Sequence, residues 1–422
     1  MTNVIDVLEE RGFVDAITSE ELRVLVNKPV KVYCGFDPTA DSLHVGNLVA
    51  IMGLAWFQRF GHTPVAIAGG ATGMVGDPSG KSAERPLLDE QTLQNNLKGI
   101  KTNLENILAS QGTPLELLNN YDWFKDFSFL DFLRDIGKHC RMGPMLAKDS
   151  VRTRLHSEEG MSFTEFCYQL LQGYDFLYLY DHHNVKIQLG GSDQWGNITA
   201  GTELIRKLRG EQAYGLTTPL LTRSDGQKFG KSEKGAIWLS ADKLSPYEFY
   251  QYFIRIADAD VITLMRMLTF MDMGEIREYE WRMLQADYQP NTVQKKLAEE
   301  VTRLVHKDGG LQEALKVTKA AAPGSQAVLN AETLESLGSS MPSYEASLEQ
   351  IAGQKLLDIL VLCGLQPSKG EARRLIKNGG VYLNNVQITD ENACVAENQL
   401  IDHKLLLLAA GKKNKILIKI KK

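Results

Sequence analysis

The stretch VKVYCGFDPTADSLHVGNLVAIMGLAWFQRFG, residues 30–61, decides the fold of the first part of the chain. Residues Val30–Phe36 are rich in valine and aromatic side chains, and this composition predicts a strand. A polar loop follows, after which His44–Phe60 places apolar side chains at the three- and four-residue spacing of a helix. Gly61 then stands where a C-cap glycine is expected. A strand that runs through a short loop into a helix is the opening of a βαβ unit.

Three further apolar runs extend this unit into a sheet. The predicted strands are Val65–Ala68, Val185–Leu189 and Thr218–Thr222. Strands that alternate with helices indicate a parallel sheet with helices on both faces, which is an α/β domain.

The rest of the sequence predicts two more domains and a linker. A capping box, SPYE, opens residues 245–320, where helical patterns follow without clear strands, as in an all-α domain. Residues 321–350 contain AAAPG, GSS and MPS, and these breakers predict a linker. Residues 351–422 predict a small α+β domain with a capped helix, a hairpin of Val381–Leu383 and Val386–Ile388, and a closing strand.

The composition excludes several classes of protein. The chain has 422 residues, of which 43% are hydrophobic and 23% charged, so it is neither a disordered tail protein nor a fibrous rod. Its five cysteines are scattered without a C-x-x-C pair, which favours neither a zinc site nor a disulfide framework. The run Asp181–Asn184, DHHN, lacks metal-ligand spacing, so we expect no metal site. With no signal peptide and no long apolar run, we expect no membrane contact and a cytoplasmic location.

The charge is spread unevenly along the chain. Residues 351–422 contain 12 Lys and Arg against six Asp and Glu, a net charge of +6, while the other residues carry −11. A basic tail on an acidic body fits a polyanionic partner. A solvated, lysine-rich terminus explains the charge equally well, and charge alone does not decide between the two.

Two short motifs carry chemistry. His44-Val45-Gly46-Asn47 stands where a loop enters a helix, and unpaired N–H groups at a helix start suit phosphate. Lys228-Phe229-Gly230-Lys231-Ser232 places two cations around a glycine, as a mobile clamp for a polyphosphate would. Taken alone, each motif is better explained structurally, the first as a histidine near a helix start and the second as a solvated turn after Asp225-Gly226. The stretch Gly76–Ser82 is not a P-loop, because only three residues separate its glycines and the motif needs four.

Together, the order and separation of the two motifs resemble the HIGH and KMSKS signatures of class I aminoacyl-tRNA synthetases. Pro38–Asn47, Val32–Asp37 and Gly190–Asn197 are similar to the tyrosyl-tRNA synthetase family in particular. The resemblance covers essentially the whole chain. It implies a Rossmann-like doubly wound catalytic domain at 1–232, an all-α anticodon-recognition domain at 245–320 and an S-four-type RNA-binding domain at 351–422. The sequence departs from the signature at Asn47, where the family usually has histidine.

The resemblance also assigns a tyrosine site. Tyr168, Gln172 and Asp175 fall on one face of a helix that begins after Ser162, and spacing alone leaves a solvent-facing stripe and a pocket wall equally open. By resemblance, Asp77, Tyr168 and Gln172 hold the α-ammonium group, and Tyr33 and Asp175 meet the phenolic hydroxyl.

The remaining assignments concern ATP, tRNA and assembly. The resemblance implies L-tyrosine, ATP with magnesium and tRNA(Tyr) as substrates, no tightly bound cofactor, and a homodimer. The catalytic residues are expected to be Thr39, His44, Asn47, Lys228, Lys231 and Ser232. ATP is expected to contact Gly35, Asp37, Thr39, His44, Asn47, Gly191, Asp193, Gln194, Lys228 and Lys231. On the basic tail, Arg373, Arg374 and Lys377 share one capped helix and are expected to contact tRNA. A tryptophanyl-type synthetase, another nucleotidyltransferase and a non-enzymatic RNA-binding protein are the alternatives.

Overall fold

A computed structural model describes residues 2–79, 89–109, 111–158, 160–226, 229–232, 235–325, 329–331, 334–335, 338, 341–411 and 414–421. The chain divides into two compact units. The first contains Met1–Leu244 and Arg255–Val305, and the second contains Ser245–Ile254 and His306–Lys422. In the part of the chain that the structure describes, no helix is long and apolar enough to cross a membrane.

The first unit is built on a six-stranded sheet with the order β1-β6-β5-β2-β3-β4, in which only β1 is antiparallel to its neighbour. The strands are β1 (Ala16–Ile17), β2 (Lys31–Phe36), β3 (Thr63–Ala68), β4 (Glu116–Asn119), β5 (Val185–Gly191) and β6 (Tyr214–Thr218). A two-stranded hairpin follows, with β7 (Lys231–Ser232) and β8 (Gly235–Ala236). The parallel, doubly wound α/β fold is therefore confirmed.

Helices connect these strands. They are α1 (Val4–Glu10), α2 (Glu21–Leu25), α3 (Val45–Arg59), α4 (Glu90–Leu108), α5 (Tyr121–Phe124), α6 (Phe129–Asp135), α7 (Met142–Leu146), α8 (Asp149–Leu155), α9 (Phe163–His183) and α10 (Trp195–Arg209). In the sheet, β3 and β4 lie on one side of β2, and β5 and β6 lie on its other side. The carboxyl ends of β2 and β5 therefore flank a topological switch point, where ligands bind in open α/β sheets.

The predicted strand at Thr218–Thr222 is wrong in its position. The strand is Tyr214–Thr218, and it ends where Pro219 follows. Proline has no N–H group to donate to a ladder, so the apolar residues beyond it leave the sheet. The displacement places Thr218–Leu221 in a loop beyond the strand, and these residues line the cavity described below.

Residues 245–320 are helical, as expected, but the two units share them. The helices are α11 (Pro246–Ile254), α12 (Asp258–Leu268), α13 (Met273–Arg282) and α14 (Thr292–Ala320). The last is broken at Lys307, where φ is 61° and ψ is −177°. The division between the units falls just before this break, between Val305 and His306.

The second unit contains a five-stranded sheet with the order β11-β10-β12-β13-β9. Its elements are β9 (Ser343–Ala346), α15 (Leu356–Leu362), α16 (Lys369–Lys377), β10 (Val381–Leu383), β11 (Val386–Ile388), β12 (Leu405–Ala410) and β13 (Asn414–Ile420). The α+β prediction and the bounds of the hairpin are confirmed. One face of the sheet packs on α15 and α16 through Leu406 and Leu408.

The domain boundaries differ from the expected ones. The other face of the sheet, with Leu405, Leu407 and Leu417, packs on Tyr247 and Val317. Alternate residues of β12 thus bury apolar side chains on both faces. Because the expected linker supplies β9, which pairs with β13, residues 321–350 do not separate an anticodon domain from the tail. Part of that linker and two helical segments belong to one unit with the tail.

Candidate functional site

A cavity of about 450 Å³ opens at the switch point of the first unit. It is lined by all of the expected tyrosine-binding residues and by all of the expected ATP-binding residues that precede Lys228. Those lining residues are Tyr33, Gly35, Asp37, Thr39, His44, Asn47, Asp77, Tyr168, Gln172, Asp175, Gly191, Asp193 and Gln194. The fold thus brings together side chains that are far apart in the sequence.

The two signature motifs meet at one wall of this cavity. Val45 donates to the carbonyl of Ile237 at 2.8 Å, and Leu239 donates to that of Leu43 at 2.9 Å. Gly230 has φ of +86°, and a Cβ there would lie 2.8 Å from the backbone nitrogen of Gly46. Glycine at position 230 is therefore required both by the left-handed backbone and by the close approach.

The start of α3 explains the asparagine in the first motif. His44 is the N-cap residue in extended conformation, and its N–H donates to Oδ1 of Asn47 at 3.1 Å. Asn47 therefore closes one half of a capping box. The His44 ring lies over Gly46, where a Cβ would come within 2.8 Å of the ring Cε1.

One buried end of the cavity contains Tyr33 and Asp175, which are 2% and 4% exposed. The Tyr33 ring packs edge-on against Phe176, with 5.1 Å between the centroids. The Asp175 carboxylate accepts from Trp123 Nε1 at 2.8 Å and from Asn120 Nδ2 at 3.1 Å. Both donors are in turn buried, so the carboxylate is held in one orientation.

Burial dominates the protonation of this end. Desolvation raises the pKa of Asp175 to about 7, although the hydrogen bonds from Asn120 and Trp123 oppose the rise. Desolvation, with the charge of Asp175, also raises the pKa of Tyr33 well above its usual value. Near neutral pH, Asp175 is thus poised between an acceptor and a donor form, while Tyr33 remains a donor.

A hydrogen-bonded chain of polar side chains also borders the cavity. Gln194 Nε2 donates to Asp77 Oδ2 at 2.6 Å, and Asn197 Nδ2 donates to Gln172 Oε1 at 2.9 Å. Asn197 also donates to Gln194 Oε1 at 3.4 Å, which joins the two pairs. This chain orients a carboxylate oxygen and an amide oxygen, which are the kinds of acceptor that an ammonium group requires.

The hydroxyl of Tyr168 is hydrogen-bonded to a second carboxylate that lines the cavity. Its hydroxyl donates to Asp37 Oδ2 at 2.9 Å, and Thr72 donates to Asp37 Oδ1 at 2.9 Å. A hydroxyl that donates in this way keeps its lone pairs available as acceptors. Desolvation and the charge of Asp37 raise the pKa of Tyr168 well above its usual value, so the hydroxyl stays protonated.

Three expected residues belong to the second motif. Lys228 lies outside the described residues, and for Lys231 and Ser232 only the backbone is described. That backbone forms β7, which pairs with β8.

The expected tRNA contacts lie on α16 of the second unit. Arg373 and Lys377 both pair with Glu391, at 3.1 and 3.3 Å, and Arg374 is also exposed. The helix turns Ala372 and Ile376 into the core, so its cations face solvent.

Four polar residues of the site were not predicted from the sequence. Asn120 directly follows β4. A polar residue at the end of a strand is a signal for a site residue, but β4 itself was not predicted from the sequence. Trp123 and Thr72 carried no signal. Asn197 stood inside the quoted stretch Gly190–Asn197 but received no role.

Two family models together match most of the chain. The family described as tRNA synthetases class I (W and Y) matches residues 25–321, and the tyrosine–tRNA ligase SYY-like C-terminal domain matches residues 333–418. A tyrosine–tRNA ligase of Protochlamydia amoebophila is 68% identical over 100% of this chain and 99% of its own length. A chloroplastic/mitochondrial tyrosine–tRNA ligase of Arabidopsis thaliana is 52% identical over 99% of this chain and 84% of its own.

A solved structure agrees with these relatives. A C-terminally truncated mitochondrial tyrosyl-tRNA synthetase of Aspergillus nidulans is 32% identical, with a TM-score of 0.67, and the match covers 74% of this chain and 92% of that one. The first family model spans more than half of the chain, and both of the relatives above match over nearly its full length. The chain therefore belongs to the class I tRNA synthetases for tryptophan and tyrosine, and among them to the tyrosine–tRNA ligases.

Proposed function

We propose that the cavity activates L-tyrosine with ATP, and that the protein then transfers the tyrosyl group to the 3′-terminal ribose of tRNA(Tyr). In the first step the tyrosine carboxylate attacks the α-phosphorus, which gives tyrosyl-adenylate and releases pyrophosphate. In the second step a ribose hydroxyl attacks the activated carbonyl and AMP leaves. The observation that carries this proposal is that a pair suited to a phenol, a pair suited to an ammonium group and a helix start suited to phosphate line one cavity.

The tyrosine site is supported by its preset polarity. Tyr33 donates to the phenolic oxygen, and the ionised form of Asp175 accepts the phenolic proton. Asp77, Tyr168 and Gln172 receive the ammonium group, and the Gln194–Asn197 chain fixes the first and last of these. Because these groups are oriented before the substrate arrives, little free energy is lost in ordering them.

The ATP end works by positioning and charge stabilisation. The substrate carboxylate is already ionised at pH 7, so the first step needs no general base. Charge that grows on the phosphates is met by His44, Thr39 and Asn47 at the start of α3 and by the clamp of the second motif. The residues of that clamp are Lys228, Lys231 and Ser232. Asp193 receives the ribose, and the rest of the nucleotide contacts Gly35, Asp37, Gly191 and Gln194. Magnesium enters with ATP as part of the substrate.

Recognition of tRNA is assigned to the second unit. Its tail carries +6, and Arg373, Arg374 and Lys377 stand on one exposed helix. Glu391 pairs with two of these cations, and a phosphate backbone would replace it. Such contacts release counterions and make binding depend on salt.

The protein is further proposed to act as a homodimer in the cytoplasm. Phe129 and Leu130 are adjacent on α6 and are 62% and 76% exposed, and Phe163 at the start of α9 is 66% exposed. Large apolar side chains that face solvent in this way are suited to a protein contact. The replacement Leu130→Glu should halve the mass measured by light scattering. The five free cysteines fit a reducing compartment, and cell fractionation tests the location.

The test of the activity is ATP–pyrophosphate exchange with each amino acid, followed by charging of tRNA(Tyr). We expect exchange with tyrosine and much less with phenylalanine or tryptophan. Exchange that favours tryptophan would overturn the tyrosine assignment. Exchange without charging would leave activation intact and overturn the second step.

A further inference from the structure

The buried end of the cavity contains a side chain that the mechanism so far does not use. Gln188 lies on β5, is 2% exposed and lines the cavity. Its Oε1 has no hydrogen-bond partner among the described residues, and the same holds for the hydroxyl of Tyr33. Buried amide groups are almost always paired, so an unpaired one in a cavity wall indicates a missing partner.

The sheet register places these two side chains together. Gln188 and Tyr33 are direct partners in the parallel pair of β5 and β2, and opposite residues of neighbouring strands point to the same face. Tyr33 contacts Phe176 of α9 on that face. Leu189, the next residue of β5, points to the other face, where a Cβ at Gly53 would lie 2.7 Å from its Cδ2. Gln188 therefore faces α9, which carries Asp175.

A phenolic hydroxyl fits between these groups. It has one proton and two lone pairs. Tyr33 supplies one donor, and Asp175 already accepts from Asn120 and Trp123. The one phenolic proton can be shared between the Asp175 carboxylate and the unpaired Oε1 of Gln188, as a three-centre hydrogen bond.

We propose that Gln188 is a specificity-determining residue whose amide pairs with the phenolic hydroxyl of tyrosine beside Tyr33. The inference rests on the proposed function and adds a residue to it. Phenylalanine in the same cavity would leave both Gln188 and Tyr33 buried and unpaired. A site built to pair with a hydroxyl rejects the analogue that lacks it for this reason, and the rejection of phenylalanine by tyrosyl-tRNA synthetases is the established example of the effect.

The test compares Gln188→Leu with a matched control, Gln169→Leu. Gln169 is also a buried glutamine, 4% exposed, with an unpaired Oε1, but it lines a different groove. The readout is the ratio of kcat/KM for tyrosine to that for phenylalanine in pyrophosphate exchange. We expect the ratio to fall roughly three- to tenfold in Gln188→Leu, as for loss of one neutral hydrogen bond. It should remain unchanged in Gln169→Leu.

Gln188→Met, which keeps an unbranched side chain, replaces Gln188→Leu in the test if the leucine variant does not fold. Melting temperatures show which variants are folded. An unchanged ratio in a folded Gln188 variant overturns the inference, as does an equal fall in Gln169→Leu. If the unaltered protein shows no tyrosine-dependent exchange, the proposed function itself fails, and that outcome is distinct from the other two.

Discussion

Replacing Trp123 by phenylalanine should shift the pH dependence of tyrosine activation. The indole Nε1 donates to Asp175 at 2.8 Å and opposes the desolvation that raises the pKa of this carboxyl to about 7. A hydrogen bond to a charged group contributes about 1.5–3 kcal/mol, and one pKa unit corresponds to about 1.36 kcal/mol. Loss of this donor should therefore raise the pKa of Asp175 by roughly one to two units. The stacking of ring 123 on Tyr178, with centroids 4.5 Å apart, can be kept by phenylalanine.

The assay is pyrophosphate exchange at low tyrosine concentration between pH 5.5 and 9. In the unaltered protein, kcat/KM should rise with pH through about 7, because the ionised carboxylate accepts the phenolic proton. In Trp123→Phe the midpoint should move upward by about one unit or more. Trp281→Phe is the matched control, since Trp281 is 61% exposed on α13 and does not line the cavity. A midpoint that stays in place in Trp123→Phe, or that moves equally in the control, would refute the reasoning.

Three further outcomes are expected. His44→Ala should slow adenylate formation by about 1.5–3 kcal/mol and leave tyrosine affinity almost unchanged; single-turnover kinetics with equilibrium binding measures both, and an equal loss of affinity would contradict the role. Because the pKa of Asp175 is raised in the fold, the stabilisation that its protonated form provides is lost as pH rises from about 4 to about 7. The melting temperature of Asp175→Asn should therefore fall less over this range than that of the unaltered protein. If the two curves of melting temperature against pH run parallel, the pKa of Asp175 is not raised. A chain that ends at Ala320 should keep near-normal pyrophosphate exchange, because the cavity lies before residue 245, yet it should charge tRNA poorly. The slope of the logarithm of its tRNA affinity against the logarithm of salt concentration should flatten by roughly 0.7–0.9 per lost phosphate contact. Normal charging by this chain would show that the tail is a solvated appendage.

The sequence predicted the parallel sheet because its strands are short, apolar and bounded by glycine or proline. The helix start at His44 and the hairpin at Val381–Ile388 were predicted correctly for similar local reasons. Local patterns do not report packing between distant segments, which is why β9 and Tyr247 were assigned away from the tail sheet. Apolar pairs such as Leu407 and Val317 decide that boundary, and nothing in the sequence around either residue identifies its partner.

The cavity residues were predicted through resemblance more than through pattern. Spacing left Tyr168, Gln172 and Asp175 undecided, and the structure places all three in the cavity lining. The supporting residues Asn120 and Trp123 act across some 50 residues of sequence from Asp175. Their side chains acquire a role only when the sheet sets them beside the carboxylate.

The contact between Gly46 and Gly230 limits how the proposed nucleotide-binding end of the cavity can be redesigned. A methyl group at position 230 would meet a backbone nitrogen, which has no rotamer by which to retreat. The bonds of Val45 and Leu239 hold the same two segments in register. A library intended to admit bulkier nucleotide analogues should therefore keep both glycines. Variation belongs at Leu220, a lining side chain that is 54% exposed and can change volume without moving either segment.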